Sequence, residues 1–236
     1  MLPPARPSRA LVVIPARNEA GTVADIVRRA RAQGLTVMVV DDASTDGTAK
    51  IAGQSGARVL RMPFHVGSWV ATQCGIRYGL EAGYDYVVTL DADGQHNPEE
   101  VEKLFTVVNS NTPPNVVIGA CPGRCNKRRM LAWSVLRLLS GLKIRDLTSG
   151  FRIYDRKACQ ALQCHSCTLL EYQDVGVLLY LRDHGIKVRE TDVAMQERVN
   201  GSSRIFKSWP TVVYYLLYSS LLGSSRRLRR KILKKS

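Results

Sequence analysis

No Asp or Glu occurs after Glu197, while residues 198–236 hold ten Lys or Arg. Of the formal net charge of +14, only +4 therefore belongs to residues 1–197. The basicity sits in one terminal segment and no nucleic-acid reader motif accompanies it, so no nucleic-acid partner is expected. The glycine fingerprints of common nucleotide folds are also missing. IPARNEAG follows the first apolar run where a dinucleotide-binding fold has G-x-G-x-x-G, and G-x-x-x-x-G-K-[ST] is absent. This disfavours a dinucleotide dehydrogenase and a P-loop NTPase. No apolar run precedes the first strand, so the stretch with Pro3, Pro4 and Pro7 is not read as a secretory signal.

What is present fits a globular chain. At 236 residues, 45% hydrophobic and 23% charged, it suffices for one α/β domain, alone or with an appendage. ALVVI (10–14), TVMVV (36–40), ARVLRM (57–62), YDYVVTL (84–90) and NVVIGA (115–120) read as strands. Helical patterns fall between them at 19–32, 44–56, 67–82 and 98–109, the last with Pro98 at its first position. Near-continuous apolar strands alternating with helices predict a mostly parallel sheet with helices on both faces. In such sheets ligands bind outside the carboxyl ends of the strands.

Two of those ends carry acids. Asp41 and Asp42 follow the second strand, and Asp91 and Asp93 follow the fourth, in LDADGQH (90–96). Residues i and i+2 of an extended segment face one side, so Asp91 and Asp93 can present two carboxylates to one point. Such a pair repels unless a cation lies between them or one is protonated. Mg²⁺ commonly takes one or two carboxylates plus substrate phosphates, and Gln95 can add an amide oxygen. The competing reading is a polar turn before the helix at 98, with His96 either capping that helix or touching a ligand. Asp41 and Asp42 have two readings as well. They end a strand before a helix capped by Ser44, Thr45 or Asp46, or they accept hydrogen bonds from a base or ribose.

VVIPARNEAGTV (12–23), VVDDASTDGTA (39–49), LDADGQHNPEEV (90–101) and DLTSGFRIY (146–154) occur in this order. Together they resemble the family-2 glycosyltransferases of the GT-A fold. The nearest branch is the polyprenyl-phosphate one, typified by dolichol-phosphate mannose synthase. The resemblance spans roughly residues 10–205 and implies a Rossmann-like, nucleotide-sugar-binding α/β fold. Pro15, Asn18 and Glu19 would line the nucleotide pocket, and Asp42, or its neighbour Asp41, would contact the base. Asp91 and Asp93, with Gln95, would hold Mg²⁺ or Mn²⁺ on the donor diphosphate. In AMQERVNGSSRIF (194–206), Arg198, Ser202, Ser203 and Arg204 would donate to diphosphate oxygens as charge develops on the leaving group. The family commonly has Lys near Arg204. Transfer to a hydroxyl needs a general base. Many relatives place an acid within EYQDVGVLLYLRDHG (171–185), where Asp174 matches best and Glu171 second. A phosphate acceptor is already anionic and needs no base.

Residues 124–145 mix Arg124, Lys127, Arg128, Arg129, Arg137, Lys143 and Arg145 with apolar residues, and 130–142 reads as a helix. This is either an ordinary helix with a solvated basic edge or a surface that meets lipid phosphate. Gly150 permits close backbone approach, and the resemblance puts its loop under the acceptor site. Arg152 is there a phosphate contact or a structural salt bridge. The cluster Cys159, Cys164, His165 and Cys167 has irregular spacing for zinc, so the six cysteines are expected to be reduced, buried or free thiols.

SWPTVVYYLLYSSLL (208–222) precedes RRLRRKILKK. Its residues 212–222 would span only about 17 Å as a helix, short of the ~20 residues that cross a bilayer. Trp and Tyr followed by clustered Arg and Lys suit an amphipathic helix lying on anionic lipid. A core helix or an oligomer contact would use the same pattern.

The expected organisation is a flexible 1–9, a GT-A domain over 10–205 and a C-terminal membrane-surface segment over 206–236. The expected activity is metal-dependent, inverting transfer from a UDP- or GDP-sugar to polyprenyl phosphate, on the cytoplasmic face of a membrane. Transfer to a saccharide hydroxyl in polysaccharide synthesis is the alternative acceptor reading. A sugar nucleotidyltransferase would carry a Gly- and Arg-containing loop where this chain has IPARNEAG. A membrane-associated nucleotide-binding module is the non-enzyme rival.

Overall fold

Leu11, Val12, Val13 and Ile14 are all buried, which requires cover on both faces of the strand that carries them. The computed structural model describes residues 9–121, 134, 137, 141–168 and 175–196. Its strands are β1 (Ala10–Ala16), β2 (Thr36–Asp41), β3 (Arg58–Arg61), β4 (Tyr86–Thr89), β5 (Val116–Ala120), β6 (Arg152–Asp155) and β7 (Val188–Asp192). They form one sheet in the order β3-β2-β1-β4-β6-β5-β7. All neighbours are parallel except around β6, which runs antiparallel to both β4 and β5.

Side chains alternate across this sheet. Val12, Ile14, Val37 and Val39 pack with α1 (Val23–Ala32) and α4 (Val101–Val108). Leu11, Val13, Met38 and Val40 pack on the other face with α3 (Ser68–Glu81), α5 (Arg156–Leu162) and α7 (Val175–Asp183). The predicted two-faced α/β sheet is therefore the observed one.

Several predicted boundaries shift. The first helix starts at Val23, because residues 19–22 form a turn in which Thr22 and Val23 N–H donate to the Glu19 carbonyl. The next, α2 (Thr48–Gln54), starts after Gly47 and not at 44. The helix expected at 98 opens as a 3-10 turn, Pro98–Glu100, before α4. Three elements have no counterpart in the pattern reading: α5, the short α6 (His165–Thr168) and β7. α5 is capped by Asp155, whose carboxylate accepts from Ala158 N–H at 2.7 Å. The helix expected over 130–142 lies outside the described residues except for Ser134 and Arg137, which are helical, and Gly141 and Leu142, which are not. Among the described residues, no helix is long and apolar enough to cross a membrane.

Candidate active site

Strands β1, β2 and β4 are mutually parallel, so their carboxyl ends share one edge of the sheet. The first two motifs are laced together there. Asn18 N–H donates to Ser44 Oγ at 3.0 Å, and Asn18 Oδ1 accepts from Thr45 N–H at 2.9 Å. Asn18 holds a left-handed φ of 56°, a conformation Asn tolerates better than most residues. Glu19 N–H donates to Thr48 Oγ1 at 2.9 Å, and Ala20 N–H to Asp46 Oδ2 at 3.1 Å. Ser44 and Thr45 are thus drawn off from capping, while Asp46 Oδ1 takes Thr48 N–H at 2.9 Å. Burial pushes the Asp46 carboxyl up, but the Thr48 hydroxyl, Thr48 N–H and Ala20 N–H outweigh it and hold the group below its ordinary pKa.

Asp41 and Asp42 part company. Asp42 accepts from His65 Nδ1 at 2.7 Å, Val66 N–H at 2.7 Å and Gly67 N–H at 3.0 Å. It braces the stretch that enters α3. Asp41 is 0% exposed, and neither carboxylate oxygen has a hydrogen-bond partner. Arg61 Nε lies 3.4 Å from Asp41 Oδ2 in an ion pair, without the alignment of a hydrogen bond. A buried carboxylate with one exposed cation beside it and no hydrogen bond is costly.

The acid turn after β4 is held from several sides. Asp91 N–H donates to His96 Nδ1 at 3.0 Å. That nitrogen also lies 3.6 Å from Asp91 Oδ2, but accepting the N–H requires its lone pair, so we read a neutral ring and not an ion pair. The His96 ring stacks on Phe151, centroids 5.4 Å apart. His96 therefore orients Asp91 and does not cap the following helix. Asp93 Oδ1 accepts from Gln95 N–H at 3.0 Å, across Gly94 with φ 81°. Thr22 Oγ1 reaches the Ala92 carbonyl at 2.6 Å, and Gln196 N–H reaches the Gln95 carbonyl at 2.9 Å. Asp91 is 42% exposed at its side chain, while Asp93 is buried.

The donor set is oxygen only: two carboxylates and an amide. Among the described residues no three His, Cys, Asp or Glu converge to enclose a metal. Oxygen donors of this kind suit a hard divalent ion, which commonly takes one or two carboxylates beside substrate phosphates. The turn does not fit a closed structural zinc centre.

The loop at 146–151 backs the acid turn. Thr89 Oγ1 donates to the Gly150 carbonyl at 2.6 Å, and Ser149 Oγ to the Gly119 carbonyl at 2.6 Å. Glu190 of β7 accepts from Asp146 N–H at 2.8 Å. Arg152 departs from both expectations. It is completely buried, donates to the carbonyls of Ser149 (2.8 Å) and Leu147 (3.4 Å), and leaves Nη1 without a partner. Cys159 is buried, and burial pushes its thiol up to about 12, which makes it unreactive.

Pro15, Asn18, Glu19, Asp41, Asp42, Asp91, Asp93 and Gln95 are thus gathered along one sheet edge. Asp174, Glu171, Arg198, Ser202, Ser203 and Arg204 lie outside the described residues, as does 206–236. Pattern reading missed Thr22, Thr89 and the bridge that pairs His96 with Met195. Thr22 lies within the first motif, so a signal existed. The pairing of His96 with Met195 joins residues far apart in sequence and left none.

Residues 11–163 match the family model "Glycosyl transferase family 2". The undecaprenyl-phosphate mannosyltransferase of Micrococcus luteus is 31% identical over 215 residues, 84% of this chain and 87% of that protein. The polyprenol monophosphomannose synthase of Mycolicibacterium smegmatis is 29% identical over 214 residues, 84% of this chain and 81% of its own. Among solved structures, mannosyl-3-phosphoglycerate synthase from Rubrobacter xylanophilus superposes with a TM-score of 0.68 at 21% identity, covering 94% of this chain and 75% of that one. Glucosyl-3-phosphoglycerate synthase from Mycobacterium tuberculosis, solved with Mn²⁺, UDP and phosphoglyceric acid, gives 0.67 at 20% identity, covering 90% and 78%. These likenesses establish the GT-A fold. The chain belongs to glycosyl transferase family 2 and is a glycosyltransferase.

Proposed function

We propose that this chain moves a sugar from a UDP- or GDP-sugar to a polyprenyl phosphate, with inversion and with a divalent cation. The observation that carries this reading is the oxygen-only acid turn at the carboxyl end of β4, on the same edge as Asp41 and Asp42. The two polyprenyl-phosphate sugar transferases named above support the acceptor. The Mn²⁺ and UDP in the solved relative support the donor class and the ion.

Asp91, Asp93 and Gln95 would hold Mg²⁺ or Mn²⁺, which neutralises charge on the leaving diphosphate when bound. Asp41 and Asp42 brace the base side of the crevice from within, Asp41 fully buried beside Arg61 and Asp42 bonded to 65–67. Pro15, Asn18 and Glu19 shape the nucleotide side of the crevice. Arg198, Ser202, Ser203 and Arg204 donate to the diphosphate. The acceptor phosphate attacks as an anion, so Asp174 positions and does not deprotonate. The basic residues of 206–236 hold the enzyme against an anionic membrane surface.

The test is a donor screen that reads nucleotide release with and without polyprenyl phosphate. Release that requires the lipid phosphate is expected. Asp93→Ala should abolish it, and full activity of that variant would sink the metal assignment. Asp174→Asn should retain near-normal turnover. A loss of several orders of magnitude would instead indicate a hydroxyl acceptor and a general base at 174.

A further inference from the structure

We propose that Gly150 is a positioning residue: its missing side chain sets the direction of the Asp91 carboxylate. This rests on Asp91 being a ligand of the divalent ion. Gly94 needs glycine for its left-handed backbone, with φ 81°, but Gly150 has no positive φ to explain it. The reason is close approach. A methyl at 150 would stand 2.6 Å from Asp91 Oδ1, 2.8 Å from Oδ2 and 3.0 Å from Cγ. Carbon and oxygen do not hold such distances, so the carboxylate lies where an alanine side chain would be.

Which partner yields is decided by how each is fastened. The backbone at 150 is pinned by Thr89 Oγ1 on its carbonyl, at 2.6 Å. Its neighbours are pinned too: Ser149 by its hydroxyl on Gly119, and Phe151 by complete burial. The methyl would meet Asp91 at the end of its side chain, which is 42% exposed, so the carboxylate shifts before the pinned backbone does. A methyl at 150 should leave the fold standing and spoil the two-carboxylate arrangement.

The experiment is Mn²⁺ titration of the full-length protein, followed by electron paramagnetic resonance in the presence of UDP and, separately, GDP. Wild type is compared with Gly150→Ala, Asp91→Asn, Asp93→Asn and Gly79→Ala. The last is a control: its methyl, on α3, would meet Val87 Cγ2 of β4 at 2.7 Å, a comparable clash away from the acids. Gly150→Ala should bind Mn²⁺ about 10–100-fold more weakly, the usual effect of disturbing the groups that orient a ligand. Gly79→Ala should bind as wild type does. Wild-type affinity in Gly150→Ala alongside losses in both carboxylate variants would overturn the positioning role alone. Wild-type affinity in Asp91→Asn and Asp93→Asn, or no Mn²⁺ binding by wild type, would remove the metal assignment and this role with it. Should Gly150→Ala lower the melting temperature, Gly150→Ala/Asp91→Ala decides. Recovery on removing the colliding carboxylate supports the contact, and a persistent loss overturns it.

Discussion

At the scale of single residues, the pair at the end of β2 shows how neighbouring acids find different partners. Asp42 receives three hydrogen bonds and works for the fold. Asp41 is buried without a hydrogen bond and has Arg61 beside it in an ion pair. Asp42→Ala should cost the fold about 1–3 kcal/mol, read in urea melts, by leaving the Val66 and Gly67 N–H groups stranded. Unchanged stability in that variant would contradict the bracing role. Sequence shows that two acids end this strand. It cannot show which is used up, because the donors come from 65–67, a segment whose position only the packed molecule fixes.

At the scale of elements, the legible parts are those governed by local periodicity. The first five strands and the helices between them follow from runs of buried residues and appear within a few positions of expectation. β7 does not, because it joins the edge with half-exposed residues, and the antiparallel insertion of β6 between β4 and β5 is equally hidden. Both placements rest on pairing between distant segments. Helix starts shifted for a similar reason: Ser44 and Thr45 serve Asn18 instead of capping α2. This clasp has a pH signature. The Asp46 carboxyl is held below its ordinary pKa in the folded state, so the folded state binds fewer protons there. Its contribution is complete above about pH 4, where the unfolded carboxyl is also ionised, and is lost as pH falls through the lowered native value. The stability gap between wild type and Asp46→Asn should therefore narrow in urea melts taken from about pH 6 down to about pH 3. A gap that stays constant over that range would show that the charge on Asp46 does not support the clasp.

At the scale of the whole molecule, charge is unevenly divided along the chain. Residues 1–197 hold all 20 acids and carry only +4, and the sheet edge with the acid turn lies within them. Residues 206–236 hold eight Lys or Arg and no acid. Each basic side chain near an anionic leaflet contributes about 1 kcal/mol, and the attraction fades beyond about 8 Å at physiological salt. On the proposed reading the acceptor phosphate lies at that surface, and the segment would bring the enzyme to it. The full-length protein should sediment with phosphatidylglycerol vesicles and be released when salt is raised from about 0.1 M to about 1 M. Replacing Arg226, Arg227, Arg229 and Arg230 together with Glu should abolish sedimentation and transfer to vesicle-borne polyprenyl phosphate. Transfer to the same lipid dispersed in neutral detergent should survive, because the donor crevice is untouched. Vesicle binding that persists in this variant would move the membrane contact to the basic residues of 124–145. Loss of the detergent reaction as well would give 206–236 a part in building the active domain.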